Sequence, residues 1–104
     1  MKFGKAIELM KQGYKLKREN WNGKNQFVFL VTSKNLFRAF TCKLSCEDDE
    51  EVDKDMACQL LMHVRDVDFS DVLAIKTTSN QVQLGWLASQ TDMLSDDWEI
   101  VEDY

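Results

Sequence analysis

The three tryptophans stand out because each of them lies beside polar residues. Trp21 precedes Asn22-Gly23-Lys24, Trp86 precedes a predicted helix start, and Trp98 follows two aspartates. An indole in a turn or at a strand end can offer a flat face to a purine, while a neighbouring amide or ammonium group contacts base edges and phosphates. The alternative is packing in a core or an interface, which we expect for Trp98 because it lies in an apolar strand. For Trp21 and Trp86 both interpretations stay open.

A group of basic residues surrounds the first predicted hairpin, namely Lys15, Lys17, Arg18 and Lys24. They form either one solvated face of a strand or a cradle for a phosphate group. The second interpretation would fit a ligand that combines a base with phosphates.

Three cysteines and the only histidine follow in the order Cys42, Cys46, Cys58 and His63. These are the ligand types of a zinc site, but the spacing matches no common zinc module and lacks the tight Cys-x2-Cys knuckle. We therefore expect free thiols and no metal. An odd number of cysteines without a secretion signal also argues against a disulfide framework.

Motifs of catalysis are missing from the sequence. It contains no glycine-rich phosphate loop, no nucleophile elbow and no Cys-x-x-Cys, and one histidine offers few ways to pair a nucleophile with a base. Carboxylate pairs such as Asp92 with Asp96 and Asp97 are weak evidence in so acidic a segment. We expect a binding protein without catalytic activity and without a cofactor.

The length of 104 residues predicts a single domain, residues 1–104, and the charge is divided unevenly along it. Residues 1–46 carry ten Lys/Arg and two Asp/Glu, whereas residues 47–104 carry three Lys/Arg and sixteen Asp/Glu. Opposite blocks of this size can attract each other, within one chain or between copies. The acidic second half would repel phosphates, so we expect no binding to nucleic acid. No apolar run is long enough to cross a bilayer, which favours a soluble cytoplasmic protein with no membrane partner.

An acidic insertion at about residues 42–68 contains the run Glu47–Asp55, with seven acids and one base. Such a run is usually a solvated loop or a helix start. It could also act as a charged decoy that inhibits a basic partner protein, and we keep this as the alternative function.

Periodicity places these residues on helices and strands. Phe3, Ile7 and Met10 share one face of a helix that Gly13 can end, and Ser89 with Asp92 predicts a helix N-cap. The other predicted elements are a strand at residues 14–18, a turn at Asn22-Gly23, a strand at residues 27–31 buried on both sides, an extension or strand at residues 35–40, a helix at about residues 52–64, strands at residues 72–77 and 81–86, a short helix through Met93 and Leu94, and a last strand at residues 98–101. This order predicts an α+β fold with a small, mainly antiparallel sheet.

Two stretches of the sequence resemble a known family. The opening from Phe3 through Gly13, followed by Arg18-Glu19-Asn20-Trp21-Asn22-Gly23-Lys24, and the closing stretch from Trp86 to Val101 are similar to the Thoeris anti-defence proteins of the second type. Together they cover a little under half of the chain, in the same order and near the two ends. The middle departs from the family pattern, since it is long and acidic.

The resemblance implies a phage protein that acts in the bacterial host cytoplasm as a sponge. Such proteins bind cyclic nucleotide second messengers of bacterial immunity, cyclic ADP-ribose isomers or cyclic dinucleotides, without cleaving them. They are homo-oligomers, dimers or tetramers, with the small-molecule ligand lodged between protomers. Carried over to this sequence, the resemblance implies base-stacking or pocket-wall roles for Trp21 and Trp86, polar contacts from Asn22 and Lys24, ribose or base-edge contacts from Ser89, Gln90 and Asp92, and a fold-supporting role for Trp98. A third possibility is a phage structural or regulatory domain that keeps these motifs only for folding.

Overall fold

A computed structural model describes residues 1–36, 38, 59, 62–63 and 67–102 of the chain. The chain divides into two compact units, one formed by Met1–Val31 with Val72–Tyr104 and the other by Thr32–Asp71. The predicted single domain 1–104 stays a prediction. Every helix in the described ranges falls short of the length and apolar character that a bilayer-spanning helix needs.

The first unit is built on a five-stranded antiparallel sheet. Its strand order is β4-β3-β2-β1-β5, so the last strand pairs with the first and β4 lies at the opposite edge. The elements in chain order are α1 (Phe3–Lys11), β1 (Leu16–Arg18), β2 (Phe27–Val31), β3 (Val72–Lys76), β4 (Val82–Leu84), α2 (Gln90–Leu94) and β5 (Trp98–Ile100). The predicted α+β fold with a mainly antiparallel sheet is confirmed.

Helix α1 forms where the apolar spacing predicts it. Ala6 and Met10 are buried, and Phe3 and Ile7 pack against the core beside them. The helix ends just before Gly13, whose φ of 100° is a left-handed conformation that glycine adopts without steric cost.

The core lies between α1 and one face of the sheet. Leu16 is opposite both Val28 and Ile100, and Val28 is opposite Ile75, so these side chains share that face. Leu16 and Val28 are fully buried, and Trp98 joins them in the same cluster. The expectation that β2 is buried on both sides is wrong, because α1 packs on the Val28 face while Phe27 and Phe29 on the other face are only half-buried.

The connection between β1 and β2 is longer than a tight hairpin turn. It runs over residues 19–26, and the positive φ falls on Asn25 at 60° rather than on Gly23. The turn predicted at Asn22-Gly23 is therefore part of a longer loop.

The described part of the second unit differs from one prediction. The Leu36 N–H donates to the Thr32 carbonyl oxygen at 2.9 Å in a helical turn, so a strand at residues 35–40 is wrong for Asn35 and Leu36. Of the helix predicted at residues 52–64, the structure describes Gln59, Met62 and His63, which are helical and exposed. Cys42, Cys46, Cys58 and the acidic run Glu47–Asp55 lie outside the described residues.

Candidate functional site

The three tryptophans meet at one place although they are far apart in the chain. The ring centroids of Trp21 and Trp98 lie 5.4 Å apart, those of Trp86 and Trp98 6.2 Å, and those of Trp21 and Trp86 6.3 Å. All three pairs are edge-to-face, with interplanar angles of 74° to 77°. This arrangement is favourable because the positive edge of one ring faces the negative face of the next.

Burial separates Trp98 from the other two. Trp98 is 2% exposed, and its indole N–H donates to the Asp92 carbonyl oxygen at 2.9 Å. The prediction that Trp98 supports the fold is confirmed. Trp21 and Trp86 are half-buried and pack against the core from its margin, so each keeps part of its ring accessible.

Arg18 binds two carboxylates beside this cluster. Its Nη1 lies 2.8 Å from Oδ1 of Asp92, and its Nε lies 2.9 Å from Oδ1 of Asp97. The three side chains are 11% to 13% exposed, so the ion pairs are largely shielded from water. The sequence did not predict this role for Arg18. The spacing of Arg18 two residues after Leu16 in one strand could have indicated it, because that spacing places Arg18 on the face that points toward the core.

Asp92 is at the same time the first-turn residue of a capping box. The Ser89 Oγ accepts from the Asp92 N–H at 3.0 Å, and the Asp92 Oδ2 accepts from the Ser89 N–H at 3.1 Å. The N-cap predicted from these two residues is confirmed. Asp92 Oδ1 also accepts from the Trp21 indole N–H at 3.3 Å, so both carboxylate oxygens are engaged inside the protein.

These contacts change the acidity of the charged groups. Burial works against the charge on Asp92, but the hydrogen bonds from Arg18, Ser89 and Trp21 outweigh it and hold the pKa of Asp92 below its ordinary value. The hydrogen bond from Arg18 holds the pKa of Asp97 below its ordinary value, with burial opposing and the Asn20 N–H adding to the effect. Asp97 and Asp92 in turn raise the pKa of Arg18.

A cleft of about 440 Å³ opens next to Trp21, between the loop 19–26 and the segment after β5. This volume lies in the range of small-molecule sites. Trp21 and Lys24 of the predicted site line it, together with Lys17, Arg18, Glu19, Gly23, Asn25, Gln26, Phe27, Val101 and Glu102. Trp86, Ser89, Gln90 and Asp92 do not line this cleft.

The predicted site residues are thus brought together only in part. The Trp21 ring contacts the Trp86 ring, and its indole N–H donates a hydrogen bond to Asp92. The other four predicted residues are exposed, namely Asn22, Lys24, Ser89 and Gln90. Their roles toward a ligand stay predictions.

The basic residues of the first hairpin have different surroundings. Arg18 is held in its ion pairs, and the Lys17 Nζ lies 3.5 Å from the Glu99 Oε1. The Lys15 Nζ lies 4.9 Å from the centroid of the Phe27 ring. Lys24 is exposed at the cleft. Within the residues that the structure describes, no three His, Cys, Asp or Glu side chains are grouped so as to hold a metal ion.

Two comparisons with known proteins identify the family of this chain. A family model described as a Thoeris anti-defense 2-like domain matches residues 1–101. A protein of Bacillus phage SP01 named "Thoeris anti-defense 2" is 37% identical over 101 residues, which cover 97% of this chain and 94% of that protein. The match extends through the acidic middle as well as the two ends, and the chain belongs to the Thoeris anti-defense 2 family.

Proposed function

We propose that the protein counteracts Thoeris defence by binding a cyclic nucleotide immune messenger, a cyclic ADP-ribose isomer or a cyclic dinucleotide, and holding it uncleaved. Membership of the family supports the anti-Thoeris part of this proposal. The chemistry of the site supports the binding part.

The observation that carries the proposal is the position of Trp21. Its ring contacts Trp98 and Trp86 edge-to-face, and the same residue lines the cleft. A half-buried indole supported by two further indoles is a rigid platform on which a purine can stack, since ordering it on binding costs little further entropy. Lys24 in the same wall offers a cation for a pyrophosphate, and Lys17, whose ammonium also pairs with Glu99, lines the wall as well.

The lining of the cleft favours binding over covalent catalysis. It includes carboxylates, amides, amines and aromatic rings, but no serine, cysteine or histidine among the described residues. A sponge needs none of these groups, since it acts by mass action. It must bind the messenger more tightly than the host sensor does, and its sites must outnumber the messenger molecules.

Calorimetry with purified protein tests the proposal. We expect binding of at least one nucleotide from a panel of cyclic ADP-ribose isomers and cyclic dinucleotides, and recovery of that nucleotide intact after heat denaturation of the protein. A cleaved product would overturn sequestration in favour of catalysis. An absence of binding across the whole panel would overturn the ligand class.

A pair of aromatic variants locates the site. Trp21→Ala should weaken binding by about 5-fold to 150-fold, since loss of a stacking platform costs about 1 to 3 kcal/mol. The matched control is Tyr14→Ala, which removes an aromatic side chain that does not line the cleft. Tyr14 is 45% exposed, and this variant should bind the nucleotide normally. Equal affinities of the two variants would contradict a role for Trp21.

A third variant separates the proposal from the decoy function. Changing the seven acids of Glu47–Asp55 to amides should leave nucleotide binding intact if the protein is a sponge. Loss of anti-defence activity with nucleotide binding unchanged would favour a charged decoy for a basic partner.

We also propose that copies of the chain associate along β4. This strand is an edge of the sheet, and its Val82 and Leu84 are 55% and 53% exposed on the same face. Residues 77–91 contain no charged side chain, in a chain with 30% charged residues. A two-fold contact brings each segment against a copy of itself, so an uncharged apolar edge suits a second copy of the same chain. Trp86 lies two residues after the end of β4, so this pairing would bring the tryptophan clusters of two copies toward each other.

Light scattering coupled to size exclusion tests this association. We expect a dimer or tetramer for the unsubstituted protein and a smaller species for Leu84→Lys, because a charge on an edge strand opposes pairing. Tyr14→Lys adds the same charge away from β4 and should leave the size unchanged. A monomer at all concentrations would contradict the proposal.

A further inference from the structure

Arg18 connects the two contacts that hold the neighbouring loop residues Asn20 and Trp21. Its Nη1 donates to Asp92 Oδ1 and its Nε donates to Asp97 Oδ1, at 2.8 and 2.9 Å. The arginine therefore fixes two carboxylates that come from different positions, one in α2 and one just before β5.

Each of these carboxylates in turn holds a part of the loop. Asp92 Oδ1 accepts from the Trp21 indole N–H at 3.3 Å, and Asp97 Oδ2 accepts from the Asn20 backbone N–H at 3.0 Å. One carboxylate thus holds the ring of Trp21, while the other holds the backbone one residue earlier. Both depend on the guanidinium, because without it two negative groups would lie close together with little access to water.

We propose that Arg18 is a positioning residue that sets the orientation of the Trp21 ring at the cleft through Asp92 and Asp97. The inference deepens the proposed function and rests on it for its consequence in ligand binding. The orientation of the ring itself is a property of the free protein and can be measured without a ligand.

The shape of the guanidinium is essential to this role. Its Nε–H and Nη1–H groups point in fixed, different directions and reach one carboxylate each, whereas a lysine ammonium is a single point charge on a flexible stem. Arg18→Lys therefore keeps the charge that offsets the two acids but loses the fixed geometry. Arg38→Lys makes the same change at an exposed arginine and is the matched control.

Hydrogen exchange of the indole N–H groups, followed by NMR, tests the inference in the free protein. We expect Arg18→Lys to speed exchange at Trp21, because its acceptor oxygen is no longer held in place. Trp98 donates to a backbone carbonyl oxygen, so its exchange should stay slow and report that the fold is intact. Unchanged exchange at Trp21 would overturn the inference, and so would equal acceleration at Trp21 and Trp98, which indicates general loosening.

Binding of cyclic ADP-ribose and of 3′,3′-cyclic GMP-AMP gives the second readout. If Trp21 keeps the binding orientation in about one molecule in ten, the apparent Kd rises about tenfold. Arg38→Lys should bind like the unsubstituted protein. Faster exchange at Trp21 with an unchanged Kd for a nucleotide that binds would overturn the link to the ligand. If the unsubstituted protein binds neither probe nor any other nucleotide of the panel, the proposed ligand class fails, while the exchange rates still decide whether Arg18 positions Trp21.

Discussion

Single side chains at this site make several different contacts at the same time. Trp21 packs on Trp98 and also forms cleft wall, and Asp92 caps α2 while it accepts from Arg18 and Trp21. With both of its oxygens already engaged, Asp92 is better suited to holding its neighbours than to recognising a ribose. A variant of such a residue therefore needs a folding control before its effect on binding can be interpreted.

Two glycines in different surroundings give a paired prediction for stability. A Cβ on Gly23 would lie 2.5 Å from Thr78 Cγ2 and would also meet Gln26 Oε1, whereas a Cβ on Gly4 in α1 has nothing within 4 Å. We expect Gly23→Ala to lower the free energy of unfolding by about 1 to 3 kcal/mol through overpacking. Gly4→Ala should raise it by about 0.5 to 1 kcal/mol, because alanine loses less conformational entropy in a helix. Urea unfolding of both variants checks the opposite signs, and a stabilised Gly23→Ala would contradict the packing of the loop.

The sequence predicted the structural roles that depend on local spacing. The Ser89–Asp92 cap follows from a three-residue interval, and the burial of Trp98 follows from its apolar strand. Arg18 could not be assigned in the same way, because its two partners lie 74 and 79 residues away. No periodicity in the sequence encodes such a distance.

The sequence predicted the helices and strands that have a clear apolar period. It did not predict the burial of a strand or the path of a loop, because these depend on how the elements pack together. The bounds of β2 are those predicted, but its burial is not, because that depends on which face α1 covers. The loop 19–26 forms most of the cleft wall, and its path could not be predicted because turn residues allow several loop lengths. The cleft therefore became visible only in the structure.

Helix α2 gives a prediction of its own because it has only five residues, Gln90–Leu94, and none of them is buried. A helix this short has little intrinsic stability, so its capping box should contribute a large share of its stability. Ser89→Ala should lower the free energy of unfolding by about 1 kcal/mol, and Ser89→Asn, which keeps an acceptor at the N-cap, should restore most of it. Urea unfolding measures both variants. A Ser89→Ala protein as stable as the unsubstituted one would show that α2 does not depend on its cap.

For the molecule as a whole, the uneven charge along the chain has a structural counterpart. Lys17 and Arg18 belong to the basic first half, and their partners Asp92, Asp97 and Glu99 belong to the acidic second half. Of the two possibilities, attraction within one chain or between copies, the first is observed between β1 and the C-terminal segment of the first unit. The sequence could not indicate which charges pair, since that is set by the β1–β5 register that places Arg18 opposite Trp98.

These ion pairs predict how the stability of the protein depends on pH. The pKa values of Asp92 and Asp97 are held below the ordinary value of 3.8, so the folded state favours the charged carboxylates more than the unfolded state does. Their stabilisation is fully present above this value and is lost as the pH falls through the lower pKa values of the folded state, because the unfolded chain takes up protons first. The urea midpoint should therefore fall steeply below about pH 4.

Asp97→Asn should be less stable at neutral pH but lose less on acidification, whereas Asp96→Asn, which changes an exposed carboxyl next to it, should follow the unsubstituted protein. If Asp97→Asn lost stability with acid as steeply as the unsubstituted protein, the pair of Arg18 with Asp97 would not contribute to folding at neutral pH.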